Sequence, residues 1–192
     1  MKKTVLLFLF CGMIVSLSAQ KPSLNKAYNS FYEKDFVKAK EQIDLCIADE
    51  KLSSKAQTWL YKANIYFYLA NDEYSKKQEN DNYALLYPAT PEEAFDAFIK
   101  AESINKNVES FEMFSPAEGK SKLYSLLLLY GVDQLLKNDY ENAARILQKS
   151  VTSYEMKTPP DYPLQGELYY YYAYNLEMLQ RNTEAITYYQ KA

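Results

Sequence analysis

Residues 124–151, YSLLLLYGVDQLLKNDYENAARILQKSV, limit most strongly how this chain can fold. They read as two helices joined by the short polar turn Lys137-Asn138-Asp139. Gly131 in the first helix and Ala143 in the second allow a close crossing, Leu147 fills the space between them, and Ser150 leaves room for a third helix behind. Four consecutive leucines, Leu126 to Leu129, put apolar groups on more than one face of the first helix. Such a hairpin cannot bury both faces alone, so further copies are expected around it.

The rest of the chain contains them. Leu24, Ala27, Tyr28 and Phe31 form one apolar stripe, a turn falls at Lys34-Asp35, and Ala39, Ile43 and Cys46 repeat the small-large-small spacing. After a polar connection at 49–54, a helix over 55–70 carries Trp59-x-x-Lys62-Ala63-x-x-Tyr66. Its partner is expected at 92–105, with Ala94-x₃-Phe98 followed by Ala101. The run Thr90-Pro91-Glu92-Glu93 reads as an N-cap, a first-turn proline and a capping-box glutamate. Ser115-Pro116-Ala117-Glu118 reads as another capping box leading into the central hairpin. A proline-rich connector at 158–163 precedes a last hairpin, in which Tyr169, Tyr172 and Ala173 share a side, Gln180-Arg181-Asn182 turns, and Ala185-x₃-Tyr189 with Ala192 repeats the pattern.

Composition agrees with helix throughout. The chain has 4 Gly and 7 Pro, and no alternating β-branched segment reads as a strand. Its 20 Tyr exceed 9 Phe and 1 Trp. Tyrosine suits a thin helical array, because the ring buries its body while the hydroxyl reaches water.

These motifs resemble the tetratricopeptide repeat (TPR) family, of the exported bacterial type, in which W-x₂-L-G-x₂-Y marks the first helix and A-x₃-F the second. The resemblance covers nearly all of residues 21–192. It implies an all-α, right-handed solenoid of about four TPR-like helical hairpins with irregular insertions. The second-helix alanines Ala39, Ala94, Ala143 and Ala185 are further apart than the family's period of about 34 residues. The excess falls in 71–89, 106–115 and the proline-rich connector. Other departures are Lys62 where the family prefers Leu, a first turn one residue short, and no proline after the second helices. The pattern stops inside a helix that the family continues, so an incomplete C-terminus is expected, with closure by homo-association through the last repeat as the alternative.

Residues 1–20 read as a signal peptide: Lys2 and Lys3, an apolar run from Val5 to Leu17, then Leu17-Ser18-Ala19-Gln20, with cleavage after Ala19 or Gln20. The apolar run is shorter than the ~20 residues of a membrane span, so no stable span is expected after its removal. The expected location is exported: periplasmic, outer-membrane-associated or secreted. Cleavage leaves Cys46 as the sole thiol, which excludes an internal disulfide, and makes the chain more acidic than its full net charge of −3. An acidic chain without a basic cluster is a poor partner for nucleic acid.

The chain has no His and no Gly-rich phosphate loop. One mature thiol excludes thiolate metal clusters. Acid pairs such as Glu92-Glu93 and Asp49-Glu50 fall at helix ends, where capping and solvation account for them. Neither an enzymatic role nor a cofactor is expected. The resemblance implies a partner-binding groove lined by first helices, here Tyr28, Phe31 and Tyr32; Leu60, Asn64, Phe67 and Tyr68; Leu128, Val132, Leu135 and Leu136; and Tyr170, Tyr174, Glu177 and Met178. Asn64 stands where tail-binding members carry an asparagine. Leu24 and Leu60 stand where the basic companions would be needed, so no carboxylate clamp is expected. The leading expectation is a scaffold or adaptor for a protein or peptide partner in the cell envelope. A small-ligand or glycan module using an aromatic groove, and a positioning domain for an enzyme beyond residue 192, are the alternatives.

Overall fold

The computed structural model describes residues 21–156 and 165–192. The expected signal peptide and the connector at 158–163 lie outside the described residues. Among the described residues there are ten helices and no strand. In chain order they are α1 (Leu24–Tyr32), α2 (Phe36–Ala48), α3 (Glu50–Ser53), α4 (Ala56–Glu79), α5 (Thr90–Ile104), α6 (Pro116–Lys122), α7 (Tyr124–Leu136), α8 (Tyr140–Glu155), α9 (Gln165–Met178) and α10 (Asn182–Tyr189). The closest partners are α1 with α2, α4 with α5, α7 with α8 and α9 with α10, so four hairpins form from neighbours in sequence. α2 packs on α4, α5 on α6, α7 and α8, and α8 on α9, which places each hairpin against the next.

Three hairpins turn in the same way. Lys34, Asn138 and Gln180 each sit midway between paired helices with φ of 62°, 61° and 61°. The next residue's N–H reaches back to a carbonyl five residues earlier: Asp35 to Ser30 at 2.9 Å, Asp139 to Gln134 at 3.0 Å, and Arg181 to Leu176 at 2.8 Å. These are Schellman stops, which satisfy the last helical carbonyls and need a left-handed residue. Asn tolerates that conformation, whereas Lys34 and Gln180 adopt it at the cost of a Cβ clash. Asp35 and Asp139 then cap the second helices by accepting from Lys38 N–H at 3.1 Å and Asn142 N–H at 3.4 Å. The first turn is therefore as long as the third, correcting the expectation that it is one residue short.

The small positions are buried as the spacing predicts. Ala39, Ala94 and Ala143 are fully buried and Ala185 nearly so, as are Ile43, Phe98 and Leu147 in the large slots. Burying a side chain of that size stabilises by about 1.5–3 kcal/mol. A Cβ on Gly131 would lie 2.7 Å from both Cγ and Cδ2 of Leu147, so glycine sets the α7–α8 approach. Leu126 and Leu127 join the core of the first two hairpins, and Leu128 joins that of the last. The leucine run does face neighbours on both sides. Ser150 does more than leave space: its hydroxyl donates to the Tyr124 carbonyl at 2.6 Å, while Ser153 donates to that of Lys120 beside the α6–α7 break.

Other expectations need correction. The polar connection after α2 contains the one-turn α3, capped by Asp49, which accepts from Leu52 N–H at 2.9 Å. Of the two forms open to the 71–89 insertion, an extension of the flanking helices or a surface loop, its first part takes the former: α4 continues to Glu79, and the buried Glu73 holds the returning segment by accepting from Tyr83 Oη at 2.9 Å and Tyr87 N–H at 2.8 Å. Thr90 does not cap α5; it is helical, and its hydroxyl donates to the Tyr87 carbonyl at 2.7 Å. Glu92 and Glu93 are not simply solvated end charges. Glu92 is 5% exposed and pairs with Arg145 and, at 2.9 Å, with Lys149, joining α5 to α8. Glu93 pairs with Lys62 at 2.8 Å, and that ammonium also lies 4.7 Å from the Tyr66 ring centre, which accounts for Lys in a slot where Leu was expected. α10 ends at Tyr189, and Ala192 is exposed beyond it, so the last helix repeats the pattern through Ala185 and the partly buried Tyr189 but not through Ala192.

Candidate functional site

The turn of the first hairpin, α4 and the segment after α5 meet in an aromatic ladder. Tyr68 stacks on Phe36 on one side, with centroids 5.8 Å apart and planes at 21°, and on Phe114 on the other, at 5.8 Å and 7°. Phe31 meets the Tyr68 ring edge-on at 5.3 Å, and Phe67 meets Phe114 edge-on at 5.2 Å. Helical spacing dictates this: Phe31 lies in the last turn of α1, Phe36 opens α2 after the tight turn, and Phe67 and Tyr68 lie on the adjacent face of α4. Burial, then the nearby Glu118 carboxylate, raises the Tyr68 phenol pKa above its usual value, so the ladder is neutral at ordinary pH.

Phe114 is brought to the ladder by Asn64. The Asn64 carboxamide accepts from Phe114 N–H at 2.8 Å and donates to the Phe114 carbonyl at 3.1 Å. Its other amide hydrogen goes to the Leu60 carbonyl at 3.0 Å, and the side chain is fully buried. Asn64, expected in an open groove, thus grips the backbone of its own chain. Leu60 and Leu128 are likewise buried in the core, Phe31 and Leu135 are buried but present an edge to a surface cavity, and Phe67 and Tyr68 are half-covered. On α4 the reason is the length of the connection, since segment 106–115 folds back over that helix; on α7 it is the packing of α8 and α9, which cover Leu128 and Leu135.

Other predicted residues are exposed. Tyr32 is 64% exposed and separates two cavities. One of about 460 Å³ is lined by Phe31, Tyr32, Lys34, Phe36, Tyr68 and Glu112, and one of about 340 Å³ by Tyr28, Asn29, Tyr32, Glu33 and Phe111. Tyr170 and Tyr174, one turn apart on α9, are 50% and 38% exposed and stack at 9°. With Tyr171, Leu135, Leu136 and Tyr140 they line a third cavity of about 280 Å³. Tyr169 and Tyr172 point inward, so the tyrosine block divides between core and surface as the helical geometry requires. Cys46 is a buried packing residue whose thiol pKa is raised by burial.

The sequence reasoning missed Phe36, Phe111 and Phe114. The last two are aromatic residues three apart in a connection whose other apolar residues are Val108 and Met113. Among the described residues no group of three or more Asp, Glu or Cys side chains is placed to hold a metal ion, and no helix is long and apolar enough to cross a membrane. No protein-family model and no curated protein matches the chain.

Proposed function

We propose that this protein is an exported scaffold of the tetratricopeptide kind, a right-handed solenoid of about four hairpins that binds a segment of another protein in the cell envelope. The observation that carries this reading is where the exposed aromatic groups lie. Tyr32, Tyr170 and Tyr174 are on the first helices of hairpins, each beside a cavity. Rigid rings of this kind give large contact area at low entropic cost, with one hydroxyl for a hydrogen bond. The repeated Schellman turns and buried alanine slots support a tandem-repeat origin. The signal-like start supports export, and the absence of His from the sequence supports binding over catalysis.

The test is affinity capture with the chain purified after export. Wild type should retain a defined envelope protein. Tyr170→Ala combined with Tyr174→Ala, or Tyr32→Ala, should reduce that capture several-fold without changing the circular dichroism. Undiminished capture by both variants would discard the aromatic sites as the binding surface.

A further inference from the structure

Segment 106–115 is attached in an unusual way. Val108 is buried and anchors its start, yet Phe111 is 76% exposed and Glu112 has φ of 56°, a left-handed conformation disfavoured for a side chain of this kind. Met113 packs against the core, and Phe114 carries the segment into the aromatic ladder. Asn64 reads both backbone groups of that residue, the N–H and the carbonyl, which makes no demand on side-chain identity. Tyr68 and Phe67 supply the selectivity, a flat face and an edge that fit an aromatic ring. Lys122 lies 5.0 Å from the centre of the Phe114 ring. These are the elements of a peptide-recognition site: a two-point backbone clamp beside an aromatic slot.

On the reading of the protein as a peptide-binding scaffold, we infer that Phe114 is an internal ligand, and that the partner is an extended peptide whose aromatic side chain displaces Phe114 from Asn64, Phe67 and Tyr68. The observations favour this occupant over a glycan, because Asn64 is matched by the N–H and the carbonyl of a single residue, and the adjoining slot is shaped by the face of Tyr68 and the edge of Phe67 for that residue's aromatic ring. The open cavity beside Phe31, Phe36 and Tyr68 continues the same ladder, so an entering chain has apolar surface to contact before Phe114 leaves. Tethering keeps Phe114 at an effective concentration on the order of mM for a short flexible link. A partner must exceed that, so the site is closed to weak aromatic peptides and open to one that also uses the cavity beside Tyr32.

The experiment uses a fluorescein-labelled peptide copying residues 110–115, SFEMFS, titrated into the exported chain and followed by anisotropy. Phe114→Ala should bind it saturably and wild type at least ten-fold more weakly. A peptide with alanine at its second phenylalanine should bind the variant at least ten-fold more weakly, and adding Asn64→Ala should abolish binding. Should Phe114→Ala fail to fold by circular dichroism, Phe114→Leu, which keeps apolar contact but loses the ring stack, takes its place under the same criteria. No saturable binding to a folded variant, equal binding to variant and wild type, or equal binding of the alanine peptide would each overturn the inference. Retention of the envelope partner by wild type in the capture experiment would then leave the scaffold reading standing, whereas loss of that capture alone would remove the scaffold reading.

Discussion

Replacing Gly119 with alanine probes the packing between the second hairpin and the central one. Gly119 sits in α6 against Phe98 of α5, whose ring is fully buried. An added Cβ would lie 2.1 Å from Phe98 Cζ and 2.4 and 2.5 Å from the two Cε atoms. Reaching ordinary contact at 3.4 Å requires the ring or α6 to retreat by about 1.3 Å, the difference between those distances. A buried ring cannot rotate into solvent, so the cost belongs in the upper half of the ~1–3 kcal/mol typical of overpacking. Alanine's helix preference over glycine returns at most about 1 kcal/mol. A net loss of about 1–2 kcal/mol should lower Tm by about 2–8 °C in a chain of this size. Phe98→Leu removes the clashing Cζ and Cε atoms, so the double variant should be more stable than the sum of the two single losses predicts. Thermal unfolding of the four proteins measures this. An unchanged Tm for Gly119→Ala, or strict additivity with Phe98→Leu, would refute the reasoning.

Further tests address the turns, the ion pairs and the tyrosines. Lys34→Gly should relieve the left-handed strain of the first turn and raise stability by about 0.5–1 kcal/mol; a fall in the urea midpoint would contradict it. Glu92→Gln should cost about 1–2 kcal/mol in urea unfolding, because the buried negative charge is lost and one of its two acceptor oxygens becomes an NH₂ facing Arg145 or Lys149, while the exposed Arg145 can turn to water and limit the damage. Burial pushes the phenol of Tyr172 up to about 12. A raised folded-state value means that its contribution is intact below the usual phenol pKa of about 10 and is lost as pH rises through about 12, so Tm should fall steeply across that window. Tyr172→Phe should make the fall shallower, and an identical alkaline profile would count against the assignment.

The hairpins were legible because their signals are local. The slots of Ala39 and Ile43, and of Ala143 and Leu147, recur within one or two helical turns, and each proved buried. The aromatic site was not legible, since its key contact joins Asn64 to Phe114 across a separation of 50 residues and no periodicity carries it. Family-style spacing placed Asn64 on an open groove, but tertiary packing of the long connection overrode it. The role of Glu73 was hidden for a similar reason: it looks like a surface charge until Tyr83 and Tyr87 return to bond it. Tyr32, Tyr170 and Tyr174 were legible as exposed because flanking residues on the same helices fill the inward positions.

Site-specific photocross-linking in cells tests the central claim most directly. Benzoylphenylalanine in place of Tyr32 should yield a discrete adduct with one envelope protein. The same group at Ile99, which is 44% exposed on the second helix of its hairpin, should yield none. No adduct from position 32, or the same adduct at equal yield from both positions, would contradict the account.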